Sequence, residues 1–280
     1  MKQRNRFLMQ LMFFFAQNPF VNNFISGEIH QGESKRLCTP GLNCYSCPAA
    51  AFSCPIGAAQ IFFGGARHSI CLYITGFLLT IGILFGRFIC GFVCPMGLLQ
   101  DLFYRIPFPK LKLRFTYLRY LKYVVLLLFV IVLPMTIVSD LTGIGLPWFC
   151  AYICPSGTIF GAIPLLAANP FLRQMIGVQF FIKLGVAVGV VVLSVFILRF
   201  FCRILCPLGA IYALLNKVAL LHMRCDKGRC VSCKVCCTAC HIKLEPSLKP
   251  NDPECFRCGK CINACPQKAL MVKFGAKKNI

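Results

Sequence analysis

The stretches Ile83-Leu-Phe-Gly-Arg-Phe-Ile-Cys-Gly-Phe-Val-Cys-Pro-Met-Gly97 and Val195-Phe-Ile-Leu-Arg-Phe-Phe-Cys-Arg-Ile-Leu-Cys-Pro-Leu-Gly209 read as one motif written twice. The Arg, both Cys, the Pro and the Gly coincide. Cys54-Pro-Ile-Gly57 precedes the first and Cys154-Pro-Ser-Gly157 precedes the second, so C-P-x-G occurs four times. Chance similarity of apolar text does not produce four such copies, and the pattern marks an internal repeat. Pro suits the first helical position and Cys the cap. The thiol then sits at a helix start, where free amides and the helix dipole favour negative charge. The Gly allows close backbone approach.

Around these motifs the chain is apolar. Hydrophobic residues make up 58% and charged residues 14% of 280, with a mean hydropathy of +0.73, against about 25% charged in soluble domains. Three runs are long enough for ~30 Å of hydrocarbon: Ser69–Ile89, Leu118–Val138 and Ile176–Phe201. A fourth, Phe7–Ile25, is interrupted by Gln17-Asn18-Pro19. Pro55–Phe63 and Pro155–Leu166 are too short to span and read as re-entrant half-helices. Each half then reads as span, outer C-P-x-G, span, inner C-P-x-G. Halves of equal topology are related by a pseudo-two-fold axis along the membrane normal.

The net charge of +22 would otherwise point to nucleic acid. Here the basic residues flank the apolar runs and fill the tail, which fits membrane lipid and excludes nucleic acid as a partner. The loop Arg105–Lys122 carries six Lys or Arg and should be cytoplasmic. The expectation is a multi-pass protein of the cytoplasmic (inner) membrane with both termini cytoplasmic.

Most of the 21 cysteines fall in short clusters, unlike the framework of a small secreted chain. Cys255-Phe-Arg-Cys258-Gly-Lys-Cys261-Ile-Asn-Ala-Cys265-Pro266 is the bacterial ferredoxin run. Cys230-Val-Ser-Cys233-Lys-Val-Cys236-Cys-Thr-Ala-Cys240 repeats its spacing, with His241 where Pro is usual. Three thiolates grip one [4Fe–4S] cluster and the fourth reaches across to the other. One cluster should use Cys230, Cys233, Cys236 and Cys265, and the second Cys255, Cys258, Cys261 and Cys240. Zinc needs only paired C-x-x-C and leaves the x3-C-P ends unexplained. Cys225 and Cys237 receive no ligand role.

In the membrane part the repeat brings Cys90 and Cys94 to Cys202 and Cys206 as an inner set. It brings Cys54 to Cys150 and Cys154 as an outer set. The first outer motif has Ala50 where its paired Cys would stand, so the fourth outer ligand is Cys47 or Cys44, with Cys47 preferred. Cys38 and Cys71 read as ordinary thiols. Arg87 and Arg199, three residues before Cys90 and Cys202, either offset the charge of a bound cofactor or snorkel to the interface.

These motifs resemble the NapH-type membrane ferredoxins of periplasmic nitrate reductase systems and the membrane portion of NosR-like proteins. The resemblance implies electron transfer between the quinone pool or a cytoplasmic donor and a partner redox protein. A group that reduces copper during oxidase assembly is also similar. The fold expected is an all-α polytopic membrane protein, with about four spans and re-entrant half-helices. Residues 1–220 form the membrane domain, with repeat halves 7–110 and 118–220. Residues 221–280 form a 2[4Fe–4S] ferredoxin domain. With two further clusters in the membrane domain, the chain should carry electrons between cytoplasmic clusters and the opposite face, as one component of an oxidoreductase complex. Its partners would be a flavoprotein, cytochrome or reductase subunit, and quinone. The alternative is a quinol dehydrogenase or metal-ion reductase. That reading needs ionisable groups for proton release, for which only Asp101, Glu28 and Asp140 are at hand.

Overall fold

The computed structural model describes residues 3–65, 68–111, 117–138 and 145–275, with only the backbone for 68–71. It is mostly helical. The main helices are α1 (Gln3–Gln17), α2 (Pro55–Phe63), α3 (His68–Phe85), α4 (Pro95–Phe103), α5 (Tyr117–Thr136), α6 (Gly157–Ala168), α7 (Val178–Phe196) and α8 (Pro207–Leu215). The C-P-x-G motifs open α2, α4, the helical stretch leading into α6, and α8. Cys54, Cys94, Cys154 and Cys206 all have extended backbone, with ψ of 127°, 121°, 109° and 116°. Proline's fixed φ and missing N–H suit the position after each.

Among the described residues two helices are long and apolar enough to cross a membrane, α5 and α7, with only 22% and 17% of their most apolar 18-residue windows buried. Leu127, Phe181 and Val188 are more than half exposed on them. The run expected from Ser69 to Ile89 gives α3, 18 residues long. The run expected from Phe7 to Ile25 does not form one helix, because α1 stops at Gln17 and only Asn23–Ser26 is helical beyond it.

α1 is turned inside out relative to a soluble helix. Arg6, Gln10 and Gln17 are buried while Leu8, Met12 and Phe15 are exposed. Its amides repair the chain break ahead of Cys94: Gln10 Nε2 donates to the Gly91 carbonyl at 3.0 Å and Gln17 Nε2 to Val93 at 2.8 Å. Buried carbonyls require such partners.

Each motif arginine reaches the other copy of the motif. Arg87 donates to the Cys202 carbonyl at 2.9 Å. Arg199 donates to the Cys90 and Gly91 carbonyls at 2.5 and 3.1 Å. Both are wholly buried, so neither snorkels. Arg87 pairs with Glu254, which also holds Lys122; Arg199 pairs with Asp101, which also holds Arg6.

The tail is closed by an antiparallel pair, β1 (Leu221–Cys225) and β2 (Leu270–Phe274), in register Leu221↔Phe274. Between them the cysteine runs share one backbone. Ser232, Lys234 and Lys243 have positive φ, and so do Arg257, Gly259 and Lys268, each 25 residues later. A left-handed non-Gly residue costs of order 1 kcal/mol, so its repetition in both runs marks a backbone required twice.

Asp101→Ala leaves Arg6 and Arg199 buried without their carboxylate. Removing one partner of such a pair costs about 3–5 kcal/mol. Thermal unfolding of the detergent-solubilised variant should begin well below wild type, with Asp101→Asn in between; an unchanged melting curve for the Ala variant contradicts the assignment.

Candidate functional site

The tail brings its cysteines together in two groups. One cavity is lined by Cys240, Cys255, Cys258 and Cys261. A second is lined by Cys230, Cys233, Cys236 and Cys265, with Cys225 beside them. Each cavity thus takes three thiols from one run and its fourth from the other. As free thiols, Cys255 and Cys261 are pushed up by burial to about 11 and 12, so holding them as thiolates requires a bound cation. Cys237 lies with its Sγ 4.0 Å from that of Cys236.

The inner set, Cys90, Cys94, Cys202 and Cys206, is buried in the main core. Its sulfurs accept hydrogen bonds: Leu42 N–H to Cys94 at 3.4 Å, Gln100 Nε2 to Cys202 at 3.0 Å and Gly209 N–H to Cys206 at 3.4 Å. The motif glycines are needed for close approach, since a Cβ on Gly97 would meet the Cys90 carbonyl at 2.7 Å and one on Gly209 the Cys202 carbonyl at 2.6 Å.

The outer set surrounds a cavity of about 950 Å³ lined by Cys44, Cys54, Cys150 and Cys154, with Lys35, Arg36 and Lys183. Cys44 Sγ stands 3.5 Å from where a Cβ on Gly157 would be, and Lys183 Nζ 3.0 Å. Cys47, preferred on sequence, does not line the cavity. It is buried beside Ala49 and Ala50, with its Sγ 3.8 Å from Asn18 Oδ1. Cys38 is buried against Ser53, and the Cys71 side chain lies outside the described residues.

The inner and outer sets share a wall. Leu42, whose amide meets Cys94, also lines the outer cavity, as do Asn43 and Cys44. Tyr212 Oη donates to the Pro40 carbonyl at 2.9 Å and anchors this segment to α8. One hydrogen bond and two peptide units therefore connect an inner cysteine to an outer one.

The donor sets fit iron–sulfur clusters. The two tail cavities and the outer cavity are each lined by four cysteines, the number of thiolates that a [4Fe–4S] cluster takes. In the outer cavity the buried Ser156 Oγ, and next to it Thr158 Oγ1, have no hydrogen-bond partner among the described residues. Buried hydroxyls without partners call for an acceptor, which cluster sulfurs provide.

Several residues here were missed on sequence. Gln60 and Gln100 each donate to a cysteine of the opposite half, Cys150 at 3.1 Å and Cys202 at 3.0 Å. Each also accepts the amide of the residue before that cysteine, Phe149 and Phe201. Their signal is C-P-x-G-x-x-Q, present in both first-half motifs. Lys183 was legible as the lone charge in apolar α7, and Glu254 had no local signal.

Residues 68–116 and 180–224 each match a family described as a 4Fe-4S binding domain. The chain is 30% identical to the ferredoxin-type protein NapH of Haemophilus influenzae over 80 residues, 25% of this chain and 28% of that protein. It is 30% identical to the regulatory protein NosR of Stutzerimonas stutzeri over 201 residues, 66% of this chain and 25% of that protein. The chain is thus similar to NapH- and NosR-type proteins. It is also 29% identical over 210 residues to an uncharacterized protein of Methanocaldococcus jannaschii, 72% of this chain and 78% of that one. No solved structure matches. Related to these proteins, the chain is an iron–sulfur electron-transfer protein.

Cys44→Ser should lower the iron content of the purified protein by about four atoms per chain, one cluster's worth, while Cys47→Ser leaves it unchanged. The reverse pattern would reassign the fourth outer thiol.

Proposed function

We propose that the protein carries electrons between a donor at its ferredoxin tail and an acceptor at the outer cavity, through four [4Fe–4S] sites. The tail sets are Cys230, Cys233, Cys236 and Cys265, and Cys240, Cys255, Cys258 and Cys261. The inner set is Cys90, Cys94, Cys202 and Cys206. The outer set is Cys44, Cys54, Cys150 and Cys154. A bound cluster supplies reversible one-electron exchange at each.

The single observation that carries the reading is the shared wall. Pro40–Cys44 touches Cys94 on one side and lines the outer cavity on the other. In this reading the two sets lie next to each other across the Pro40–Cys44 segment, closer than the expected separation across a ~30 Å layer. The segment before Cys54 folds inward, with Leu42 1% exposed, and carries the outer thiols down toward the inner ones.

A membrane setting is supported by the bare apolar faces of α5 and α7 and by the inverted α1, whose polar side chains face the protein. The two-fold repeat is supported by the paired family matches and the reciprocal arginine bonds. With α1 and α3 as further spans both termini face the cytoplasm. The tail then meets its donor there, and the outer cavity, rimmed by Lys35, Arg36 and Lys183, receives an acceptor from the other side.

The quinol-dehydrogenase alternative has lost support. Asp101 is held by Arg6, Arg199 and Gln10 and is not free to release protons. Glu28 is exposed, and Asp140 lies outside the described residues.

The chain's residues hold the thiols rather than transform a substrate. Gln60, Gln100 and the Leu42 and Gly209 amides stabilise negative sulfur, and Arg87 and Arg199 place buried positive charge beside Cys202 and Cys90. Replacing both Cys94 and Cys206 with Ala should remove one cluster's signal and stop electron passage across proteoliposomes, with the tail still reducible. Passage at the normal rate in that variant would refute the reading.

A further inference from the structure

Residues 254–257 form a loop of which every member touches the part of the chain that carries the inner cysteines. Glu254 is 4% exposed. Its Oε2 accepts from Arg87 Nη1 at 2.6 Å and its Oε1 from Lys122 Nζ. The second terminal nitrogen of Arg87 is on the Cys202 carbonyl. One guanidinium therefore links the backbone of an inner cysteine to the carboxylate beside Cys255. The Cys255 carbonyl accepts from Asn216 Nδ2 at 3.1 Å, and Arg257 donates to Phe85 at 2.8 Å and to the Asn216 carbonyl at 3.3 Å. Phe256 lies under Arg199, its ring centroid 4.6 Å from the guanidinium carbon. Gly91, between the inner cysteines, has no room for a Cβ because the Phe256 carbonyl would be 2.7 Å from it.

The other tail set has a different setting. Among the described residues the cavity of Cys230, Cys233, Cys236 and Cys265 is walled by tail residues alone. Cys233 and Val231 are exposed beside it.

We infer that Glu254 is a positioning residue that seats Cys255, and with it the set Cys240, Cys255, Cys258 and Cys261, against the inner cysteines. This set is then the tail's exchange point with the membrane part, and the set around Cys233 is the entry from solution. The inference rests on the reading of the inner cysteines as a cluster site. The physical reason is charge. Without the carboxylate, Arg87 and Lys122 are two buried cations facing each other, a costly arrangement, and the loop between them and Cys255 loses its anchor. Electron exchange weakens steeply with separation, so a lifted loop uncouples the two sets without dismantling either.

The test uses the full-length protein purified anaerobically, with iron analysis, low-temperature electron paramagnetic resonance and rapid-mixing reduction. In wild type the reduced tail set and the inner set should show mutual spin–spin splitting. Glu254→Gln should keep wild-type iron yet lose that splitting, and tail-to-inner reduction should slow at least tenfold. Glu254→Asp should restore part of both. Lys122→Met, which leaves the Arg87–Glu254 contact, should behave as wild type. If Glu254→Gln is not recovered folded, the double variant Lys122→Met/Glu254→Gln, with one buried cation fewer, carries the same expectation. A fully loaded Gln variant with unchanged splitting and rate overturns the inference and leaves the cluster reading standing. A wild-type protein lacking any inner signal removes both.

Discussion

Two buried guanidinium groups organise this molecule. Arg87 and Arg199 each cross from their own half to the backbone of the other half's first inner cysteine. Both are fully enclosed, which is tolerable only because each meets a carboxylate. The carboxylates come from different places. Asp101 sits on α4, whereas Glu254 comes from the tail. One arginine therefore closes the helical part on itself and the other fastens the ferredoxin part to it. The cost of leaving either charge unpaired fixes where α1, α4, α5 and the loop before Cys255 must lie.

From that framework the chemistry follows by proximity. Short helices begin at Cys-Pro, so four thiols sit at helix starts where negative sulfur is favoured. Carbonyls freed by those breaks are taken up by Gln10, Gln17 and the arginines. In an apolar surrounding no water could do this, which explains why the polar residues of α1 point inward. The segment Pro40–Cys44 then fits between the two cysteine sets and joins them.

Much of this was written locally in the sequence. The repeated Cys-Pro-x-Gly marked where helices begin, and the doubled C-x2-C-x2-C-x3-C spacing matches the two groups of thiols that line the tail cavities. What stayed hidden depended on distant contacts. Cys44 and Cys47 are separated by two residues, and only the inward fold of their segment decides that Cys44 faces the cavity while Cys47 turns to Asn18. Glu254 looks like any acidic residue of a soluble tail until Arg87 and Lys122 are placed beside it. The nearness of inner and outer sets was equally unreadable, because hydropathy says nothing of how the Pro40–Cys44 segment folds inward to Cys94. The break in Phe7–Ile25 was legible, since Gln17-Asn18-Pro19 interrupts the apolar run where α1 ends.

The central claim is that thiols from both halves of the helical part, and not the tail alone, hold iron. Cryo-electron microscopy of the anaerobically purified protein tests it most directly. The account predicts four compact iron–sulfur densities per chain, two in the tail, one among Cys90, Cys94, Cys202 and Cys206, and one among Cys44, Cys54, Cys150 and Cys154. A fully loaded tail beside helical-part cysteines that contact only protein would contradict it.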